Sequence, residues 1–304
     1  MSAVARGSKQ RQVAIAESTF GVTPATPTMV ELPMVTIQRT GTLDILKSAQ
    51  IRTHPFVDQI TEGMFVNTIA TEFELQDMTH DILLQTMFGS TFTSKSMKMS
   101  DALSSLSWEA QATDLSLYDQ FSGMYFDKMD FSVGSSDKTP IKIKLSGGAK
   151  AAAYDATSSL ATTVTAAGSI VPFSWCDATL TIGGSARPVT NATFSLSRTV
   201  NPLNLIGSRV SDQFVPNEVT LTGQVTIPFE DALESARFAG FSDAPLVIRA
   251  ANPGATAYRT FTIPKTKYSK HVRNIANRGA VMSVIDWEAY YDTSSATIMT
   301  VSTE

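Results

Sequence analysis

Glu72 and Glu74 stand two residues apart in the alternating stretch "MFVNTIATEFEL". Two carboxylates on one face of a strand, about 7 Å apart, have the separation at which a glycoside hydrolase sets its acid and base. No aromatic sugar platform lies near them in sequence, so the pair reads as an exposed polar strand face. Asp127 and Asp130 lie in "SLSWEAQATDLSLYDQFSGMYFDKMDFSV", which reads as a strand, an acidic loop, a Phe-Ser-Gly turn and a second strand. They fall on opposite strand faces and cannot form a local dyad. His54, His80 and His271 are far apart, and none has a ligand-spaced partner on its own element. Cys176 is the single cysteine, which excludes an internal disulfide framework, and it reads as a small core residue. No Gly-x-Ser-x-Gly elbow occurs, and "SGGAK" and "IGGSA" lack the Lys-Ser/Thr ending of a phosphate loop, so both read as turns. The residues that could do chemistry therefore predict no catalytic centre, no metal site and no cofactor.

The elements that would position these residues are strands. Charged residues make up only 17% of the 304-residue chain while Ser, Thr, Ala and Val abound, a composition that suits pleated sheet. "MFVNTIATEFEL" places Phe65, Asn67, Ile69, Thr71 and Phe73 on one face, and "NEVTLTGQVTIPFED" does the same with Val219, Leu221, Gly223, Val225 and Ile227. Each leads into a short amphipathic helix, closed by Gly89 and Gly240 respectively. The order repeats: Arg39-Thr40 aligns with Arg198-Thr199, Phe56-Val57 with Phe214-Val215, and Phe73-Glu74 with Phe229-Glu230.

The sequence thus predicts a mainly β chain made of two tandem copies of one sandwich or barrel domain, each with a flanking helix. The expected divisions are an extended N-terminal arm at 1–32, whose prolines 24 and 27 favour extended chain, a first domain at 33–148, a connector at 149–175 and a second domain at 176–304. No apolar run of signal-peptide length precedes Glu17 and none of about 18 residues occurs anywhere, so a soluble cytoplasmic product without membrane contact is expected.

The net charge of −4 conceals an asymmetry: residues 54–130 hold 12 acidic and 3 basic side chains, whereas 259–278 hold 6 basic and no acidic ones. A basic run can bind nucleic acid, form a solvated face, or meet an acidic patch on another copy of the chain. The last reading makes Lys265, Lys267, Lys270, Arg273 and Arg278 ring or subunit contact residues facing carboxylates of the 54–130 region.

The segments "SLSWEAQATDLSLYDQFSGMYFDKMDFSV" with "IKIKLSGG", "NATFSLSRTVNPLNLIGSRV" with "VTLTGQVTIPFED", and "FTIPKTKYSKHVRNIANRGAVMSVIDWEAYYD" resemble the major tail tube proteins of long-tailed, siphovirus-type bacteriophages. The resemblance spans most of residues 10–300 and implies a structural virion protein, assembled in the host cytoplasm, that stacks as rings into a tail tube for genome delivery. Six tube domains per ring are usual in that family, so a duplicated chain implies homotrimeric, pseudo-sixfold rings, with hexameric rings as the other arrangement. It further implies a tape measure protein and a tail terminator or distal tail protein as partners, and DNA that passes through the lumen without specific binding. A lumen that does not hold DNA is neutral or acidic, which makes Glu72 and Glu74 the lumen-facing candidates. The competing class is a β-sandwich carbohydrate-binding or adhesin module. It predicts exposed aromatic rows, whereas Trp108, Trp175 and Trp287 sit in apolar-alternating strands.

Overall fold

The computed structural model describes residues 4–50, 56–57, 59–135, 139–168, 171–254, 256–275 and 279–303. Its first half contains β1 (Gln10–Ala16), β2 (Thr28–Glu31), the hairpin β3 (Thr36–Lys47) and β4 (Ile60–Glu74), helix α1 (Asp81–Phe88), then β5 (Ser96–Lys98), β6 (Leu106–Ala112), β7 (Leu117–Gly134) and β8 (Lys142–Ala156). A short β9 (Thr163–Thr165) leads to the second half: β10 (Ser174–Ile182), β11 (Ser185–Arg187), the hairpin β12 (Asn191–Leu203) and β13 (Gln213–Pro228), helix α2 (Leu233–Ala239), β14 (Leu246–Ala251), β15 (Tyr258–Ile263), β16 (Thr266–Asn274), β17 (Met282–Ala289) and β18 (Thr300–Thr303). The mainly β architecture follows from the alternation: in β4, Asn67, Ile69, Thr71 and Phe73 are all buried while Thr68 and Ala70 between them are exposed.

Among the described residues two sheets form, one of 12 strands and one of 6, and neither closes on itself, so the architecture is an open sandwich. In the larger sheet one antiparallel path runs β3-β4-β8-β7-β12-β13-β17-β16. The amino-terminal part of β7 pairs instead with β6, from which β1, β2 and β9 continue. The smaller sheet, β11-β10-β14-β15-β18-β5, lies within the second half except for β5. The same pairings occur in both halves: β1·β2, β1·β6, β6·β7, β7·β8, β8·β4 and β4·β3 in the first correspond to β10·β11, β10·β14, β14·β15, β16·β17, β17·β13 and β13·β12 in the second. The long β7 thus corresponds to β15 and β16 together, where Pro264 interrupts the strand.

The seam between halves is packed like a core. Phe131 of β7 and Phe194 of β12 are register partners, stacked at 4.8 Å, and both lie against Phe261 of the smaller sheet at 5.2 and 5.5 Å. Trp287 packs over Gly223, where a Cβ would stand 2.3 Å from the indole. Two buried arginines also join the halves. Arg198 of β12 donates to the Ala102 and Ser100 carbonyls at 2.7 Å each, and the fully buried Arg259 of β15 donates to Asp81 of α1 at 2.7 Å.

Several local expectations change. Within residues 1–32, expected as an extended arm, Gln10–Ala16 and Thr28–Glu31 form β1 and β2; β1 pairs with β6 from Gln10·Ala112 to Ala16·Leu106, and Val13 and Ala14 are fully buried. That short apolar face, with the Trp108 indole donating to Gln12 at 2.9 Å, anchors the segment to its own chain. The Phe-Ser-Gly stretch is a kink inside the continuous β7, with Gly123 at φ +62°, and not a turn. Gly183 and Gly184 do form a turn, but Gly147 and Gly148 are in the middle of β8. There a Cβ on Gly147 would stand 1.9 Å from the Tyr125 carbonyl, so these glycines serve close backbone approach. Cys176 is exposed, because it lies on β10 between Ser174 and Thr179, where pairing with β14 is interrupted. The segment expected as a connector contains the end of β8, β9 and the fully buried Phe173.

Candidate functional site: a polar sheet face with two open edges

Cross-strand partners in an antiparallel sheet share a face, so the register of the eight-strand path spells out what that face carries. One row runs Thr36, Glu72, Lys144, Asp130, Ser195, Thr222, Glu288, Lys267. Its neighbour runs Glu74, Lys142, Ser132, Thr193, Gln224, Asp286, Lys270. The rows between them are apolar and point inward: Phe73, Ile143, Phe131 and Phe194 belong to one, and all four are buried. The outward rows line an open trough of about 800 Å³ that crosses the seam between the halves.

Much of the charge on this face is locally paired. Glu72 lies 3.0 Å from Lys142 and 3.4 Å from Lys144; Lys128 lies 2.9 Å from Asp130, and Lys270 lies 3.8 Å from Asp286. Gln224 donates to Asp286 at 2.6 Å. Partial burial pushes the Glu72 carboxyl up, but the ammonium groups of Lys142 and Lys144 outweigh it and leave the group below its ordinary range. A general acid needs the opposite shift. Glu74 is half-buried on the same face, opposite Lys142 in register. The two glutamates thus share one strand face, on which Glu72 is ion-paired with Lys142 and Lys144.

The basic run is divided among several partners of its own half. Lys265 lies 3.3 Å from Asp292, Lys267 lies 2.8 Å from Asp243 and over the Phe241 ring, and Arg273 covers Phe229 and donates to Ser235 of α2. Arg278 and His54 lie outside the described residues. His80 is buried with its Nε2 donating to the Pro33 carbonyl at 2.8 Å, and His271 lies on β16 in register with Ile285. Among the described residues no group of His, Cys, Asp and Glu could hold a metal ion. Among them no helix is long and apolar enough to cross a membrane. Trp108 and Trp287 are buried and Trp175 half-buried, so they offer no exposed aromatic row.

The edges were not anticipated. The path ends at β3 on one side and β16 on the other, and among the described residues neither has a second strand neighbour. The signal available in sequence was the duplication itself: a repeated sheet unit that joins its twin through β7·β12 leaves the same two kinds of edge unused at its ends. The hairpin ends are apolar as well. Leu43, Ile45, Leu46 and Ile60 are exposed at the β3–β4 end, and Leu203, Leu205, Ile206 and Val215 at the β12–β13 end.

No curated protein matches the chain. A family model described as phage tail tube protein matches residues 7–289, which takes in both halves of the eight-strand path and both helices. A duplicated open sheet with a polar, salt-bridged face and edges left without a strand neighbour is what a self-assembling wall requires, and the chain belongs to the phage tail tube protein family, structural proteins of the virion tail.

Proposed function

We propose that the chain builds the tail tube of a siphovirus-type phage as stacked rings of three copies, each copy filling two of six equivalent positions, and that DNA leaves the virion through the lumen. The observation that carries this reading is the seam: β7 of the first half pairs with β12 of the second, and the strands in the corresponding roles at the chain's two ends, β16 and β3, each have one edge without a strand neighbour among the described residues. A head-to-tail contact that repeats an internal one generates a ring when its rotation closes. Eight strands per copy then give a closed barrel of about 24 strands, at least about 37 Å across at a strand spacing of about 4.8 Å and wider in proportion to the strand tilt. On this reading the two tube domains begin with β1 and β10, and residues 157–173 link them.

The polar trough is assigned to the lumen, with Glu72 and Glu74 facing it. Four carboxylates, Glu72, Asp130, Asp286 and Glu288, line it beside two lysines, Lys142 and Lys144. A surface without excess positive charge releases few counterions from DNA and holds it weakly. Lys265, Lys267, Lys270 and Arg273 belong to the subunit boundary because they lie on or beside the open strand β16. The apolar hairpin ends provide the contacts between successive rings. A tape measure protein inside the tube and terminator or distal tail proteins at its ends complete the assembly, which takes place in the host cytoplasm.

Electron microscopy of the purified chain tests the proposal. Tubes with threefold averaged symmetry are expected, with six density lobes per ring. Six whole chains per ring would replace the trimer by the hexamer. A concentrated chain that stays monomeric and is absent from virions would remove the tube-building role.

A further inference from the structure

We infer that β16 of one copy pairs with β3 of the next in one defined antiparallel register, with Lys270 opposite Gln38 and His271 opposite Ile37, and that the lysines of β16 keep this edge from pairing with itself. The inference rests on the ring reading above and adds its residue-level joint. In the first half Phe131, Ile143 and Phe73 form one inward row; in the second His271, Ile285 and Val225 form the corresponding row. The equivalence is independently fixed by the helices, since Asp81 and Leu233 begin α1 and α2 at the same distance beyond Phe73 and Val225. Two residues back, Thr71 pairs with Ile37 and Gly223 pairs with Phe194, so Ile37 corresponds to Phe194 and Gln38 to Ser195. The internal pairs Phe131·Phe194 and Asp130·Ser195 therefore translate into His271·Ile37 and Lys270·Gln38 between copies.

The occupant of the β16 edge follows from charge. Self-pairing about a two-fold axis brings Lys267, Lys270 and Arg273 against the same cations of a second copy, and like charges across an antiparallel pair are unfavourable. Lysines on an edge strand are a common guard against such pairing. The β3 edge from Thr36 to Leu43 carries one cation, Arg39, which Asp119 of β7 already neutralises at 2.5 Å. Only the β16–β3 combination places neutral partners, Gln38 and Ile37, against Lys270 and His271.

Disulfide trapping in the full chain tests the register. In a Cys176→Ser background, Lys270→Cys and Gln38→Cys are combined; facing Cα atoms of either kind of antiparallel pair, at about 4.5 or 5.5 Å, lie within disulfide reach. Oxidised assemblies are expected to run on a non-reducing denaturing gel as a covalent series ending at three chains. An equal mixture of the two single-cysteine chains should give cross-linked dimers, which reads the joint even if the double variant does not form tubes. Preferential trapping of Lys270→Cys with Thr36→Cys or Thr40→Cys, or intact tubes with no cross-link, would overturn the register while leaving the tube reading in place. Parent chain that forms no tubes would instead defeat the underlying reading. For the guard role, Lys267→Thr with Lys270→Thr should divert protein into short dimers linked through β16; assembly indistinguishable from the parent would refute it.

Discussion

The seam inside the chain and the open edges at its ends occupy equivalent places in the two halves, yet they are built from different chemistry. At the seam the inward partners are Phe131 and Phe194, stacked and covered by Phe261. At the edges the corresponding residues are His271 and Ile37, and the outward Asp130 of the seam is replaced by Lys270. The comparison teaches how a duplicated unit divides its labour: the junction within the chain is apolar and buried, whereas the β16 edge carries lysines, which disfavour unselective edge pairing.

The largest effect that would break this comparison comes from the seam. Phe194→Ala removes a ring 2% exposed from a three-ring cluster and is expected to lower the unfolding free energy by about 3–5 kcal/mol, as cavity-forming aromatic truncations do. Val272→Ala on the exposed edge of β16 should change it by no more than about 0.5 kcal/mol. Urea unfolding of the two unassembled variants measures the difference directly. Equal losses would mean that the seam is no more cohesive than an edge.

The duplication was legible in the sequence because strand alternation and helix stops recur in order, but its register was not. Matching Phe73-Glu74 to Phe229-Glu230 follows residue identity, whereas the ladders and the helix starts match Phe73 to Val225. Inward positions tolerate any apolar residue of suitable volume, so identity is a poor guide to register there. The fate of residues 10–31 was hidden for a different reason: the face that holds them, Val13 and Ala14, is too short to register as an apolar pattern, and its partner β6 lies about 100 residues downstream by the register of Gln10 with Ala112. The polar face was half legible. Glu72 and Glu74 could be placed on one side of a strand, but the lysines that neutralise Glu72 come from β8, and only the ladder brings them together.

A smaller effect separates the halves by pH. His80 in the first half is 2% exposed and stacked on Phe73 at 4.3 Å, and burial pulls its pKa down to about 4, against the Pro33 carbonyl, which favours the proton. The unfolded chain takes up that proton near pH 6.5, so the stability associated with neutral His80 is complete above pH 6.5 and is lost as pH falls from 6.5 towards 4. The full loss is about 3 kcal/mol at 1.36 kcal/mol per pKa unit. Thermal unfolding of the unassembled chain should show a falling midpoint over that window, and His80→Gln should flatten it. An unchanged slope in the variant would assign the acid sensitivity to other groups.

The two helix ends give the smallest and most local contrast. Both helices stop at a glycine, but only Gly89 takes the left-handed conformation, at φ +65°, while Gly240 stays helical at φ −84° and the positive φ falls on Phe241 at +48°. Gly89 is also crowded: a Cβ there would stand 1.9 Å from the Ala102 carbonyl, in the loop that Arg198 ties to the second half. Gly89→Ala therefore combines backbone strain with displacement of that loop, and a loss of about 2 kcal/mol or more is expected, since the left-handed conformation alone costs an L-residue about 1–2 kcal/mol. At Gly240 the nearest atoms to a Cβ are the Ala236 carbonyl at 3.1 Å and the Ser242 hydroxyl at 3.2 Å, close contacts that a small shift relieves. Alanine there gains back part of the strain by restricting the unfolded chain, and the net change should stay within about 1 kcal/mol. If both substitutions proved equally harmful in urea unfolding, the first helix end would hold no special place in joining the halves, and Arg198 would carry the loop alone.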